Sequence, residues 1–67
     1  MMIDVLYSPI PSRREVLASK PSFAEAKAYV EGLGVAFMED DADYPNCADA
    51  FLNDGRIIVI QPQGFKL

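Results

Sequence analysis

Residues 22–34, SFAEAKAYVEGLG, carry the strongest helix signal in this sequence. Ser22 is a favoured N-cap residue, and Glu25 three positions later completes a capping box. Gly34 can adopt the left-handed conformation that closes many helices. Apolar residues recur at helical spacing along one side, namely Phe23, Ala26, Tyr29, Val30 and Leu33. Because one helix with one apolar stripe cannot bury it alone, we expect a sheet to pack against it.

Five further segments predict the strands of that sheet. They are residues 2–7, 13–19, 35–39, 47–52 and 56–61. Residues 8–12, SPIPS, predict a turn, because two prolines in three residues disfavour regular structure. Residues 13–19 allow two interpretations. A strand is favoured, but Ser12 and Glu15 could also cap a two-turn helix that stops at Pro21.

The last two predicted strands form a hairpin. Asn53-Asp54-Gly55 is a strong turn signal, and we expect a positive φ at Gly55. Residues 57–60 are all apolar, which predicts a central strand covered on both faces. Pro62 is expected to end this strand, and residues 63–67 to be loose or to lie along an edge. The predicted fold class is α+β: one domain, residues 1–67, with a small antiparallel β-sheet, one helix packed on one face, and the order β-β-α-β-β-β.

Two registers fit this hairpin. A two-residue turn at Asp54-Gly55 would place one set of side chains towards the helix, namely Ala48, Ala50, Leu52, Ile57 and Val59. It would place a second set on the opposite face, namely Cys47, Asp49, Phe51, Ile58 and Ile60. A three-residue turn with a bulge would shift the pairing by one residue. We favour the first register, because small alanines suit a closely packed helix.

The favoured register predicts a core and its cover. We expect one core to contain Phe23, Val30, Leu33, Leu52 and Val59. We also expect Phe37, Phe51 and the isoleucines to be core residues. The N-terminal segment or the tail should then cover the second face of the sheet, which leaves the protein a monomer.

The composition indicates a folded domain and argues against nucleic-acid-binding, membrane and secreted proteins. The chain has 67 residues, of which 51% are hydrophobic, and this is enough for a folded domain. Its formal net charge of −4 disfavours direct binding to nucleic acid or to an anionic membrane. The single cysteine fits a reducing cytosol, so a cytoplasmic location is expected. No apolar run approaches a membrane span, and MMIDVLYSP lacks the features of a signal peptide.

The residue types present argue against catalysis and bound cofactors. Without histidine there is no Ser-His-Asp or Cys-His constellation and no histidine metal site. Glycine-rich phosphate motifs are also missing. Asp41 and Asp43 fit a calcium loop, but Pro45 and Leu52 occupy positions of other ligands, so no metal is predicted. Cys47 is expected to be a small buried hydrophobe. We therefore predict a protein that is not an enzyme and holds no cofactor.

Negative charge is concentrated in the second part of the chain. Residues 1–20 carry a net charge of +1, and residues 21–67 carry −5, including the run EDDAD at residues 39–43. This run fits either a solvated loop or a recognition surface for a basic groove. Carboxylates spaced on a rigid sheet and helix can imitate phosphates to a protein that binds nucleic acid through lysine and arginine. Tyr44 is either an interface anchor or a turn residue folded onto its own sheet.

A small acidic α+β domain with an EDDAD cluster and no catalytic constellation resembles the anti-CRISPR proteins of phages and mobile elements. The resemblance lies in the profile of the whole chain and not in a motif. It implies an inhibitor that mimics DNA and blocks target binding by a CRISPR surveillance complex. The implied partner-binding residues are Glu39, Asp40, Asp41, Asp43, Asp49 and Asp54, and Tyr44 is added as a potential anchor. The alternative is a bacterial interaction domain that docks through an apolar sheet face.

Overall fold

The computed structural model describes residues 1–10 and 13–65, with side chains for residues 1–7 and 15–65. Its elements in chain order are β1 (Ile3–Ile10), β2 (Arg13–Lys20), α1 (Phe23–Glu31), β3 (Val35–Asp40), β4 (Ala48–Leu52) and β5 (Ile57–Pro62). The strands form one antiparallel sheet in the spatial order β2-β1-β5-β4-β3. The α+β class and the order β-β-α-β-β-β are confirmed, and residues 13–19 belong to a strand.

Helix α1 begins where the capping residues predict. The backbone N–H of Glu25 donates to Ser22 Oγ at 3.2 Å, and this bond satisfies one of the unpaired donors at the helix start. After the helix ends, Gly34 has a φ of 90° and redirects the chain into β3. Ala26 and Val30 are completely buried against the sheet. The other residues of the stripe are partly buried against the same core, namely Phe23, Tyr29 and Leu33.

Strand β1 is longer than the sequence predicts. It continues through Pro9 to Ile10, so the turn expected over residues 8–12 is wrong for residues 8–10, and residues 11–12 lie outside the described part. Pairing of β1 with β5 ends at Tyr7. Beyond Tyr7 the strand has β2 as its remaining strand neighbour, and proline is tolerated at such an edge because the missing N–H leaves no partner unsatisfied.

The hairpin between β4 and β5 has a three-residue turn. Gly55 donates its N–H to Leu52 O at 3.0 Å, and Leu52 donates its N–H to Arg56 O at 2.9 Å. The φ of Gly55 is 91°, which confirms the predicted left-handed conformation. A left-handed last residue is typical of three-residue hairpin loops. The two-residue turn that the sequence analysis favoured is therefore wrong, and the alternative register is observed.

This register decides which residues of β5 enter the core. Ala50 pairs with Ile58 and Ala48 with Ile60, and all four side chains face α1. Val59 lies on the other face, so its predicted place in the core is wrong. The buried cluster consists of Ile3, Val5, Ala26, Val30, Ala48, Ala50, Leu52, Ile58 and Ile60. The alanines let the helix approach closely, as expected, but it is Ile58 and Ile60 that fill the space beside them.

The sheet face opposite α1 is here called the open face. Register places on it Leu6, Val16, Phe37, Glu39, Asp49, Phe51, Ile57 and Val59. Phe37 is 54% exposed and Phe51 is 43% exposed, so the expectation that both are core residues is wrong. Strand β5 is central, as predicted, but the cover expected on both of its faces is missing at Ile57, which is 39% exposed. One helix covers one face of this sheet.

Candidate partner-binding site

The acidic residues singled out from the sequence do not form one cluster. Asp54 lies in the turn after β4, whereas residues 41–47 form the loop before β4, so the length of that strand separates them. Asp54 accepts hydrogen bonds from the backbone N–H of Arg56 at 3.0 Å and from its Nε at 2.7 Å. The backbone hydrogen bond is the main cause that lowers the pKa of the Asp54 carboxyl group. Its charge is already compensated by Arg56.

Asp40 is also compensated within the chain. At the end of β3 its Oδ1 lies 2.9 Å from Lys27 Nζ, which extends from helix α1. Both side chains are partly exposed, so this ion pair adds little stability. It does remove Asp40 from the carboxylates that are free to meet a partner.

Asp41 organises the loop between β3 and β4. Its Oδ1 accepts the backbone N–H of Asp43 at 2.8 Å and that of Tyr44 at 3.1 Å, and its own N–H donates to Cys47 O at 2.8 Å. An aspartate that accepts from the backbone two residues later stabilises a tight turn. The carboxylates of Asp41 and Asp43 are exposed at this end of the sheet.

Glu39 and Asp49 form a pair of like charges on the open face. They lie directly opposite each other on β3 and β4, and both are exposed. Among the side chains of residues 1–7 and 15–65, neither has an ion-pair or hydrogen-bond partner. Like charges directly opposite on antiparallel strands destabilise a sheet. The next pair along these strands is Phe37 and Phe51, whose ring centroids are 6.2 Å apart.

The C-terminal tail approaches this acidic end of the sheet. The N–H of Gln63 donates to Met2 O at 2.8 Å, and that of Phe65 donates to Pro62 O at 3.0 Å. The Phe65 ring packs edge-on against the Tyr44 ring, with centroids 5.5 Å apart and an interplanar angle of 79°. Residues 63–65 are therefore neither loose nor on an edge strand, while residues 66–67 lie outside the described part. Sequence reasoning missed Phe65, and an aromatic residue just after a Pro-Gln-Gly turn was the available signal.

These two rings border a cleft of about 160 Å³, here called the aromatic cleft. Its lining includes Tyr44, Phe65, Asp41, Asp49, Cys47, Val59 and Gln61. Burial raises the pKa of the Cys47 thiol, and the nearby carboxylates of Asp41 and Asp49 raise it further. Cys47 is thus a buried, protonated residue at neutral pH, as its sequence context predicts.

The structure thus brings together part of the predicted site. One end of the sheet, at the open face, carries Glu39, Asp49, Asp41 and Tyr44, and Asp43 belongs to the same loop as Asp41 and Tyr44. In the described ranges, no group of three or more histidine, cysteine or acidic residues is arranged to hold a metal ion. No helix in residues 1–10 and 13–65 is both long and apolar enough to cross a membrane.

The structure is a small α+β domain whose open face carries acidic and aromatic side chains. The chain matches no protein-family model, and comparisons with curated proteins and with solved structures likewise found no match.

Proposed function

We propose that this protein is a non-enzymatic inhibitor that binds the basic groove of a nucleic-acid-handling protein. The observation that carries the proposal is the pair Glu39 and Asp49. These like charges face each other on an exposed sheet face, and neither has an ion-pair partner among the described side chains. The arrangement is unfavourable in the isolated protein, and a lysine or arginine from a partner would relieve it.

The rest of the charge distribution supports the same kind of partner. Residues 21–67 carry a net charge of −5. Two cations of this part of the chain already form ion pairs, Lys27 with Asp40 and Arg56 with Asp54. The negative field therefore extends from the open side of the sheet and the loop before β4. Such a field steers a basic surface towards the protein and raises the association rate.

A CRISPR surveillance complex is the partner that the resemblance to anti-CRISPR proteins implies. Carboxylates held on a sheet would occupy positions that DNA phosphates take in the basic channel of such a complex. Glu39, Asp49, Asp41 and Asp43 are the residues proposed for this role, with Tyr44 as an anchor. Target DNA and the inhibitor would then exclude each other.

The test measures target-DNA binding by purified CRISPR surveillance complexes in the presence of this protein. We expect the wild type to reduce DNA binding and the double variant Glu39→Gln, Asp49→Asn to do so much less. The difference in inhibition between the wild type and this variant should shrink as salt rises, because salt screens the contacts between exposed charges. At physiological ionic strength the Debye length is already about 8 Å. The matched control is Glu15→Gln, Glu31→Gln, which removes two exposed carboxylates from β2 and α1.

The control separates a site from a bulk charge effect. Equal loss in both double variants would show that net charge alone is responsible. Full inhibition by the Glu39→Gln, Asp49→Asn variant at low salt would contradict the proposed role of the open face.

The exposed aromatic pair supports a second candidate, an interaction domain that docks by apolar contact. Phe37 and Phe51 form a stripe with Ile57, beside Glu39 and Asp49. Charge complementarity points to an apolar partner surface bordered by lysine or arginine. In this case Phe37→Ser would weaken binding more than Glu39→Gln, and the loss would change little with salt.

A further inference from the structure

The protein already holds a cation between an aromatic ring and a carboxylate. Lys27 Nζ lies 4.9 Å from the ring centroid of Phe23 and 2.9 Å from Asp40 Oδ1. The ring attracts the ammonium group through its quadrupole, and the carboxylate adds a charge-assisted hydrogen bond. This combination is a general recognition unit for cationic side chains.

The same unit occurs a second time. The Arg56 guanidinium carbon lies 6.0 Å from the ring centroid of Tyr7, and its Nε lies 2.7 Å from Asp54 Oδ2. Lys20 likewise lies over the Tyr29 ring, with 5.0 Å between Nζ and the ring centroid. The three lysine and arginine side chains that the structure describes thus all lie over aromatic rings.

The aromatic cleft combines the same groups in a concave form. The Tyr44 and Phe65 rings make one side, and Asp41 and Asp49 bring two carboxylates to the lining. The lysine and arginine side chains described by the structure are all placed elsewhere, namely Lys20, Lys27 and Arg56. A cation in this cleft would therefore have to come from outside the described residues.

The size and floor of the cleft suit one side chain. Its volume of about 160 Å³ is close to that of a protein cavity that takes up benzene, which is about 150 Å³. A guanidinium group is smaller than benzene, so the planar head of an arginine fits together with part of its stem. Val59 and Cys47 provide apolar surface for the methylene groups, and Gln61 adds a polar group.

The cleft is also continuous with the proposed interface. Asp49 belongs both to the pair with Glu39 and to the lining of the cleft, and Val59 lies opposite Asp49 in the neighbouring strand. A partner that covers the open face would therefore contact residues that also line the cleft. A side chain that projects from this partner would enter it.

We propose that the aromatic cleft receives a cationic side chain of the partner, and that arginine is preferred over lysine. The preference follows from the planar guanidinium, which stacks on aromatic rings and presents several fixed donors to carboxylates, whereas an ammonium group is a compact and strongly hydrated charge. The identity of the side chain deepens the proposed function and rests on it for the biological partner. The cleft itself can be tested without that partner.

The experiment titrates the ¹⁵N-labelled protein with N-acetyl-arginine-amide and follows amide chemical shifts. N-acetyl-citrulline-amide is the matched neutral probe, because it has nearly the same shape without the charge. We expect saturable shifts at Tyr44, Cys47, Asp49, Gln61 and Phe65, and binding about fivefold or more tighter for the arginine probe than for citrulline. N-acetyl-lysine-amide is the third probe, and its affinity should lie between those of the arginine and citrulline probes.

Two variants locate the binding. Asp49→Asn and Phe65→Ala should each weaken the arginine probe severalfold, whereas Glu31→Gln, which removes an exposed carboxylate from α1, should leave it unchanged. Asp49 is exposed, so its variant should fold even if Phe65→Ala does not. The titration is repeated in the variant Lys66→Gln, which removes the lysine that follows Phe65 in the sequence. The three probes should have the same order of affinity in this variant as in the wild type.

The outcomes separate this inference from the proposed function. Equal binding of the arginine and citrulline probes in both backgrounds would overturn the cleft as a cation pocket, as would equal weakening by Asp49→Asn and Glu31→Gln. If DNA competition still depends on Glu39 and Asp49 in that case, the proposed function stands without the cleft. If the probes behave as expected but no complex is inhibited, the pocket stands and the partner is of another kind.

Discussion

At the scale of single residues, adjacent positions in β5 have opposite environments. Ile58 is completely buried under α1, whereas Ile57 is 39% exposed on the open face. Side chains alternate between the two faces of a strand, so a shift of one residue in the register would exchange them. The two isoleucines therefore report directly on the hairpin register.

The same substitution at these two positions should have very different costs. Ile58→Ala should lower the free energy of unfolding by about 2–5 kcal/mol, because it leaves a cavity in the core. Ile57→Ala should cost much less, because most of the removed surface is on the solvent side. Urea unfolding followed by circular dichroism measures both. A larger cost at Ile57 would support the two-residue turn.

Cys47 gives a prediction on pH. Burial, and then Asp41 and Asp49, raise the pKa of its thiol above the ordinary value of 9.0. The folded state therefore holds this proton more tightly than the unfolded state, and its stabilising contribution is complete below the ordinary pKa and is lost as pH rises through the folded pKa. The stability of the wild type relative to Cys47→Ala should be constant at lower pH and should fall as the pH rises above 9.0.

The measurement is urea unfolding of both proteins at each pH, since tyrosine and lysine titrations are common to the two and cancel in the difference. Alkylation gives an independent check. Iodoacetamide should modify Cys47 slowly at pH 8 in the native protein and quickly in urea. A stability difference that stays constant as the pH rises above 9.0 would show that the environment of Cys47 does not perturb its ionisation.

At the scale of elements, the turn between β4 and β5 sets the composition of both sheet faces. Gly55 has a φ of 91°, and a side chain added there would meet no atom within 4 Å. Its requirement for glycine is therefore one of backbone conformation and not of space. The turn that holds Ile58 over the core depends on this one residue.

The cost in stability of a substitution at Gly55 should depend on how readily the new residue adopts the left-handed conformation. Gly55→Ala should cost about 1–2 kcal/mol, the penalty for a left-handed residue with a Cβ. Gly55→Asn should cost less, because asparagine adopts this conformation more readily. Thermal or urea unfolding measures the order. Equal costs for the two variants would mean that the loop changes its conformation to escape the strain.

The two edge strands each contain an irregularity. The register of β2 against β1 shifts between Val5 and Leu6, and that of β3 against β4 shifts between Val35 and Phe37. Bulges at sheet edges discourage the addition of a further strand from another chain. This favours partner contact through the face of the sheet over contact through its edges.

At the scale of the whole molecule, Asp40 is paired with a lysine of the helix, whereas two carboxylates on the open face have no ion-pair partner among the described side chains. Lys27 pairs with Asp40 across α1 and β3, while Glu39 and Asp49 face each other on the open face. A sheet selected only for stability would not keep two carboxylates directly opposite. The proposed function therefore predicts a measurable cost in stability.

Neutralising one member of this pair should stabilise the protein. Glu39→Gln should raise the free energy of unfolding by about 0.2–1 kcal/mol at low salt, because it removes a cross-strand repulsion. The gain should shrink as ionic strength rises. Glu31→Gln, at an exposed helix position, is the control and should change stability by about 0.5 kcal/mol or less. A loss of stability in Glu39→Gln would contradict the assigned geometry.

Local signals in the sequence predicted the elements well. The cap at Ser22, the apolar stripe of α1 and the left-handed Gly55 all depend on residues close together in the chain, and all are confirmed. The bounds of β3, β4 and β5 differ from the predicted ones by a single residue at each end where they differ at all. Pro9 was misjudged, because the cost of a proline depends on whether a second strand lies beside it.

The sequence by itself determined the α+β class, the helix and its buried stripe, the excess of negative charge and the absence of histidine chemistry. The tertiary structure decided the pairing. The extra residue between Val35 and Phe37 places Glu39 opposite Asp49, where the unshifted register would place it opposite Ala48. The contact of Phe65 with Tyr44 likewise depends on where the tail crosses the sheet. Both contacts join residues far apart in the sequence. For the strand register the alternatives differ by one residue, and local propensity does not distinguish them because each satisfies it equally well.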